Sequence, residues 1–156
     1  MNKDKLYMQR AIDLSIDNVR NGGGPFGAVI VREGEVIAEG TNRVTANIDP
    51  TAHAEVMAIR RACQQVKDFR LKGCTIYTSC EPCPMCLSAI YWAGIDKIYY
   101  GNTKEDADAI GFSDDVIYKE FTLPLTERTI PMRPLMRHEA QQAFREWEEK
   151  EDKVEY

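Results

Sequence analysis

Two short stretches of this 156-residue chain carry side chains able to do chemistry: His53-Ala54-Glu55 and Pro82-Cys83-Pro84-Met85-Cys86. Each falls at the expected start of a helix that follows a strand and a loop, where ligands bind in open α/β sheets. Cys83 and Cys86 are three residues apart, so on a helix their sulfurs share one face and can grip a single metal ion. The positive end of the helix dipole favours thiolate over thiol there. His53 can supply a third ligand from the other helix start. Three protein ligands leave one position of a tetrahedral ion open, which is the arrangement of catalytic rather than structural zinc. An ion held in this way makes hydroxide accessible near neutral pH. Glu55, two residues from a ligand, is placed to take the proton and return it to a leaving group.

The same residues admit plainer readings. A lone Cys-x-x-Cys is also the pattern of a redox pair or of half a structural zinc site. A structural site needs a fourth ligand, and the nearest candidate is Cys80, which lies before the helix start at the expected strand end. Cys63 and Cys74 sit among apolar residues and read as core. His138 has no ligand-spaced partner and reads as a surface histidine. Glu81, beside Pro82, is either a group supporting the site or only a helix-start charge. Five cysteines, an odd number with three inside seven positions, do not make a disulfide framework. Such clustering in a cytoplasmic chain points to metal or redox chemistry.

The elements that must position these groups follow from hydrophobic spacing. Lys3–Asn21 places Leu6, Ile12, Ile16 and Val19 at helical intervals and ends in the breaker Gly22-Gly23-Gly24-Pro25. Phe26–Arg32, a turn at Glu33-Gly34 and Glu35–Gly40 read as a β-hairpin. A polar loop, Thr41–Asp49, leads to Thr51, which is suited to cap a helix running to about Gln65 with Val56, Ile59 and Cys63 on one face. Cys74–Ser79 reads as a buried strand. Pro82 suits the first turn of a helix from Cys83 to about Trp92, and Lys97–Tyr100 is a further strand. This order argues for an α/β sandwich around a mixed sheet. After Gly101 the pattern predicts a helix over Lys104–Ala109, a short strand over Val116–Phe121 and an amphipathic helix over Ala140–Lys153 anchored by Phe144 and Trp147.

Composition bounds the function. The length and a hydrophobic content of 44% describe one globular domain with a real core. There is no apolar run long enough for a membrane span, and the N-terminus lacks a secretory signal, so a cytoplasmic location is expected. Residues 1–101 hold twelve Lys/Arg against eleven Asp/Glu, while residues 102–156 hold eight against fourteen. The acidic surplus argues against a protein that holds nucleic acid by neutralising phosphates.

The pairing of His-x-Glu with Pro-Cys-x-x-Cys is the pattern of zinc deaminases. Residues 1–101 resemble the cytidine-deaminase-like superfamily, most sharply in Asp49-Pro50-Thr51-Ala52-His53-Ala54-Glu55 and Glu81-Pro82-Cys83-Pro84-Met85-Cys86. The resemblance implies one Zn²⁺ per subunit held by His53, Cys83 and Cys86, with Glu55 as the proton shuttle. It also implies a three-layer α/β/α sandwich around a five-stranded mixed sheet.

Within that superfamily the chain is similar to small bacterial guanine deaminases. The likeness lies in Tyr77–Cys86, Ala89-Ile90-Tyr91-Trp92, Gly111-Phe112-Ser113-Asp114-Asp115, Ile117–Glu120, Glu127-Arg128-Thr129-Ile130-Pro131 and the final Glu155-Tyr156. It implies hydrolysis of guanine to xanthine and ammonia in purine catabolism or salvage, with a free purine base as the partner and neither nucleic acid nor membrane involved. Asn42 matches the base-binding Asn, whose amide can donate to guanine O6 and N7. Asp114 matches the carboxylate that suits the ring N–H donors. Phe26, Tyr156 and Trp92 can supply aromatic faces, although Phe26 and Trp92 also read as core and Tyr156 as a frayed terminus. The resemblance further implies one zinc deaminase domain over residues 1–156. Residues 1–101 are its catalytic core, and residues 102–156 form a lid exchanged between the subunits of a homodimer, carrying Asp114 and Tyr156 to the partner's pocket. Three alternatives stand beside this reading. They are a tRNA-editing adenosine deaminase, a deaminase of another free heterocycle such as cytosine or an aminotriazine, and an inactive binding module. The acidic tail opposes the first, and an intact Glu55 opposes the last.

Overall fold

A computed structural model describes residues 2–156. The chain begins with α1 (Lys3–Arg20), whose first turn is closed by Asn2 accepting a hydrogen bond from the Asp4 N–H. Strands β1 (Gly27–Arg32) and β2 (Glu35–Thr41) form the expected hairpin. Its two turn residues, Glu33 and Gly34, both have positive φ, the geometry that matches the twist of the strands. A short α2 (Val44–Asn47) occupies the expected loop, followed by α3 (Ala54–Val66), β3 (Cys74–Cys80), α4 (Pro84–Ala93) and β4 (Lys97–Asn102). The sheet order is β2-β1-β3-β4, antiparallel except for the parallel pair β3–β4 that α4 connects.

Strand alternation assigns the two faces of the sheet. Ala28, Ile30, Cys74 and Ile76 pack with Ala54, Ala58, Ala62, Ile90 and Ala93 of α3 and α4. Val29, Val31 and Tyr77 pack on the other face with Ala11 of α1. The result is a mixed sheet between helices, three layers deep. The small buried face of α3 differs from the expected Val56, Ile59 and Cys63, which are half-buried. Close approach is the reason. A Cβ on Gly40 of β2 would run into the Ala54 carbonyl and lie 2.6 Å from the Ala58 nitrogen, so only a bare backbone lets α3 rest there.

The sheet has four strands among the described residues, one fewer than the resemblance implies. Val116–Phe121, expected as a strand, lies within α6 (Asp115–Phe121), which follows α5 (Lys104–Ala109). The Lys119 ammonium pairs with the Asp115 carboxylate at 2.7 Å, one helical turn away, a contact that a strand could not make. A 3₁₀ turn at Leu125–Glu127 and α7 (Arg137–Glu149) complete the chain.

The chain divides into two compact units, Met1–Asp114 and Asp115–Tyr156. The first holds the sheet. Within the second, Glu120 accepts hydrogen bonds from the N–H and hydroxyl of Thr129, and Arg128 donates to the Leu123 carbonyl. None of the helices among the described residues is long and apolar enough to cross a membrane.

Candidate active site

Two helix starts, those of α3 and α4, carry the site's central residues. His53 is the N-cap of α3, in extended backbone and with no capping hydrogen bond from its side chain. Thr51, expected as that cap, instead donates its N–H and hydroxyl to Asp49 Oδ1, at 2.9 and 2.7 Å. The tight Asp49–Thr51 turn leaves the cap position to His53 and its imidazole available as a ligand. Cys83 is the N-cap of α4, with Pro84 opening the helix and Cys86 buried within its first turn.

His53 Nδ1 lies 3.5 Å from Cys83 Sγ and 3.4 Å from Cys86 Sγ, and the three ligand atoms sit within 4.8 Å of one another. Zinc bonds of about 2.3 Å to sulfur and 2.0–2.1 Å to nitrogen, at the tetrahedral angle, separate such atoms by about 3.6 Å. The trio therefore fits a zinc ion with one position left over. Electrostatics agree. The Cys86 thiol donates to Cys83, and with His53 this pulls Cys83 down to about 4 against the opposing effect of burial. Cys86 is pushed far up by the same shared proton and by its own burial. The Cys83 thiolate in turn raises His53. Binding a cation releases the proton that the two sulfurs share.

Cys80 stays outside this group. Its thiol is buried and donates to the Thr103 carbonyl at 3.8 Å. Burial, with the charges of Glu55 and Glu81, pushes it up to about 11, so it remains a thiol where Cys83 is a thiolate. Cys74 is core as expected, Cys63 is half-buried at the edge of the core, and His138 is exposed.

Glu55 is 5% exposed in the first turn of α3. Its Oε1 accepts a hydrogen bond from the Thr78 hydroxyl at 2.7 Å, and its charge bears on both Cys86 and Cys80. Asn42 directly follows β2, and its Oδ1 accepts from the Val44 N–H at 3.1 Å, which commits the amide nitrogen to donating elsewhere. Phe26 precedes β1, half-buried against the core, with its ring edge-to-face on Phe112 at 5.0 Å. Asp114 is held above the usual carboxylate range by burial and by the charges of Cys83 and Glu81 in its own chain. Glu81 does more than carry a helix-start charge: its Oε1 accepts from the Lys104 N–H at 3.3 Å, at the head of α5. A Thr103–Asp106 capping box closes that same turn.

The first unit thus brings together His53, Cys83, Cys86 and Glu55, and sets Asp114 within electrostatic reach of Cys83. Trp92 is not core, being 72% exposed on α4. Tyr156, 83% exposed, belongs to the second unit. Two polar residues escaped the sequence reading. Thr78 is a polar residue in a buried strand, and that mismatch was the available signal. Asn18 lies on α1 and donates to the Asn42 backbone carbonyl; nothing in its spacing marks it.

Residues 1–102 match the cytidine and deoxycytidylate deaminase zinc-binding region. The chain belongs to that family. His53, Cys83 and Cys86 are positioned to bind its metal ion. The chain is 50% identical to guanine deaminase of Bacillus subtilis (strain 168) over 153 residues, covering 97% of this chain and 98% of the relative. The X-ray structure of guanine deaminase from Bacillus subtilis superposes with a TM-score of 0.95 at 49% identity, over 97% of this chain and 98% of that one. A tRNA-specific adenosine deaminase of the same organism is 39% identical over 101 residues, 65% of this chain and 63% of that relative.

Proposed function

We propose that this zinc deaminase hydrolyses guanine to xanthine and ammonia. The observation that carries the reading is the reach of the likeness. Similarity to guanine deaminase runs through 153 residues, including Asp114 and the acidic C-terminal unit, whereas similarity to the tRNA-acting relative covers 101.

The site supplies the parts for this reaction. His53, Cys83 and Cys86 would hold zinc, which when bound makes water a competent nucleophile near neutral pH. Glu55 relays both protons of the attacking water: the first passes to ring N3 as C2 is attacked, and the second, taken from the new C2 hydroxyl, goes to the departing amine as the C2 carbonyl forms. Asn42, its amide oxygen occupied by Val44, donates to the acceptors O6 and N7. Asp114 accepts from ring N–H groups, including the N9–H that a free base has and a nucleoside lacks. Phe26 offers a ring edge to the flat base.

The working enzyme is a homodimer. Because Asp114 lies within electrostatic reach of Cys83 in its own chain, the exchanged segment begins after it and not at residue 102 as expected. Of Asp114 and Tyr156, Tyr156 alone then covers the partner's site, while residues 1–156 act as one deaminase domain. The second unit supports this with large apolar side chains left exposed, among them Phe121, Leu135 and Phe144. A closed lid excludes water and a folded tRNA, which suits a free base. A cytoplasmic location accords with five free cysteines, two of them metal ligands.

The test is to load the purified protein with zinc and measure ammonia released from guanine, guanosine, adenine, cytosine and an aminotriazine. Guanine turned over well above the others supports the reading. Preference for another base, or inosine formed only in tRNA, overturns it.

A further inference from the structure

We propose that Thr78 is a positioning residue that holds the Glu55 carboxyl in its working orientation. Thr78 is fully buried in β3 and points at α3, where its hydroxyl oxygen lies 2.7 Å from Glu55 Oε1 and 2.7 Å from the Cys80 carbonyl oxygen. A hydroxyl carries one proton, and a carbonyl oxygen has none to give. Thr78 therefore has two acceptors within reach of its single proton, the Glu55 carboxylate and the Cys80 carbonyl, and it joins α3 to the end of β3 through them.

A purely structural threonine would be satisfied by the carbonyl two residues away, as buried threonines commonly are. The second contact, to a carboxylate 23 residues earlier on another element, is what the packing does not require. Valine would fill the same space. The bond engages one carboxyl oxygen and fixes the direction of the other. It also ties Glu55 to the strand that leads into Cys83, so the shuttle and two of the ligands move as one body.

This inference rests on Glu55 being the proton shuttle, and its test is separable from the choice of guanine. Thr78→Val and Thr78→Ser are compared with the parent protein, zinc-loaded, on whichever base the parent deaminates fastest, with kcat, KM and zinc content measured. Thr78→Val is expected to lower kcat about 10- to 100-fold, as a misplaced reacting group does, with KM and zinc content held within about 3-fold of the parent. Thr78→Ser is expected to recover kcat to within about 3-fold. Should Thr78→Val not fold, Thr78→Ala takes its place in the comparison. An unchanged kcat in the hydroxyl-free variant overturns the inference. So does a loss shared equally by Thr78→Ser, or one that tracks lost zinc. A parent active on another base but not on guanine overturns the substrate assignment alone.

Discussion

Asn18 donates from its side-chain amide to the backbone carbonyl of Asn42 at 3.0 Å, and the second proton of the same nitrogen reaches the Gly24 carbonyl at 2.7 Å. A helix on one side of the sheet thereby clamps two loops, one leading into Phe26 and the other carrying the amide proposed to read the base. Two hydrogen bonds of about 1 kcal/mol each are at stake. Asn18→Ala is expected to raise KM about 5- to 10-fold while leaving kcat within about 3-fold, since it loosens the base-binding residue and not the metal trio. Steady-state kinetics with zinc analysis checks this, and a kcat loss at constant KM would count against it.

Removing the shuttle should separate chemistry from structure. Glu55→Gln keeps a side chain of the same shape that can still bond Thr78, but it cannot carry the proton. Zinc content and folding should match the parent while turnover falls by about 10²- to 10⁴-fold, the usual contribution of a positioned general acid–base. Retained activity would remove Glu55 from its role.

The close seat of α3 on β2 can be tested at Gly40. An added methyl group meets the Ala54 carbonyl and the Ala58 nitrogen, both backbone atoms of the helix that carries His53 and Glu55. Gly40→Ala is expected to cost about 1–3 kcal/mol in urea unfolding, the range for overpacking, and to lower zinc occupancy because the helix start must shift. Normal stability together with full zinc content would refute this account of the packing.

The Asp49 turn sets a pH dependence. Thr51 donates to the carboxylate twice and Arg60 approaches it at 3.8 Å, so the folded protein holds Asp49 below its ordinary value of 3.8. A depressed carboxylate contributes stability that is complete above the unfolded pKa and is lost as pH falls through the folded one. Asp49→Asn should therefore melt below the parent at neutral pH, and the gap should close on acidification below 3.8. Thermal melts across that range measure it; a gap that widens in acid would contradict the sign.

The two thiols of the metal trio were legible because their spacing is local: cysteines three apart at a helix start share a face whatever surrounds them. The misread segments failed where local and non-local forces compete. Val116–Phe121 carries the β-branched and aromatic residues of a strand, yet it forms a helix in which Lys119 pairs with Asp115 one turn away. Thr51 has the right side chain for a cap, but Asp49 claims its donors first. Trp92 reads as core from its bulk and stands on the exposed side of α4.

What the sequence determined by itself is the chemistry available: two thiols, an imidazole and a carboxylate at helix starts, on a chain whose acidic surplus lies after residue 101. Those follow from residue type and from the fixed periodicity of helices and strands. Only the tertiary structure decided that His53 rather than Thr51 heads α3, and that the imidazole meets both sulfurs at 3.4–3.5 Å. It alone brought the Thr78 hydroxyl and the Asn18 amide to groups 23 and 24 residues away. Such contacts join elements that only sheet order brings together, and a bare glycine at position 40 lets α3 lie close against β2.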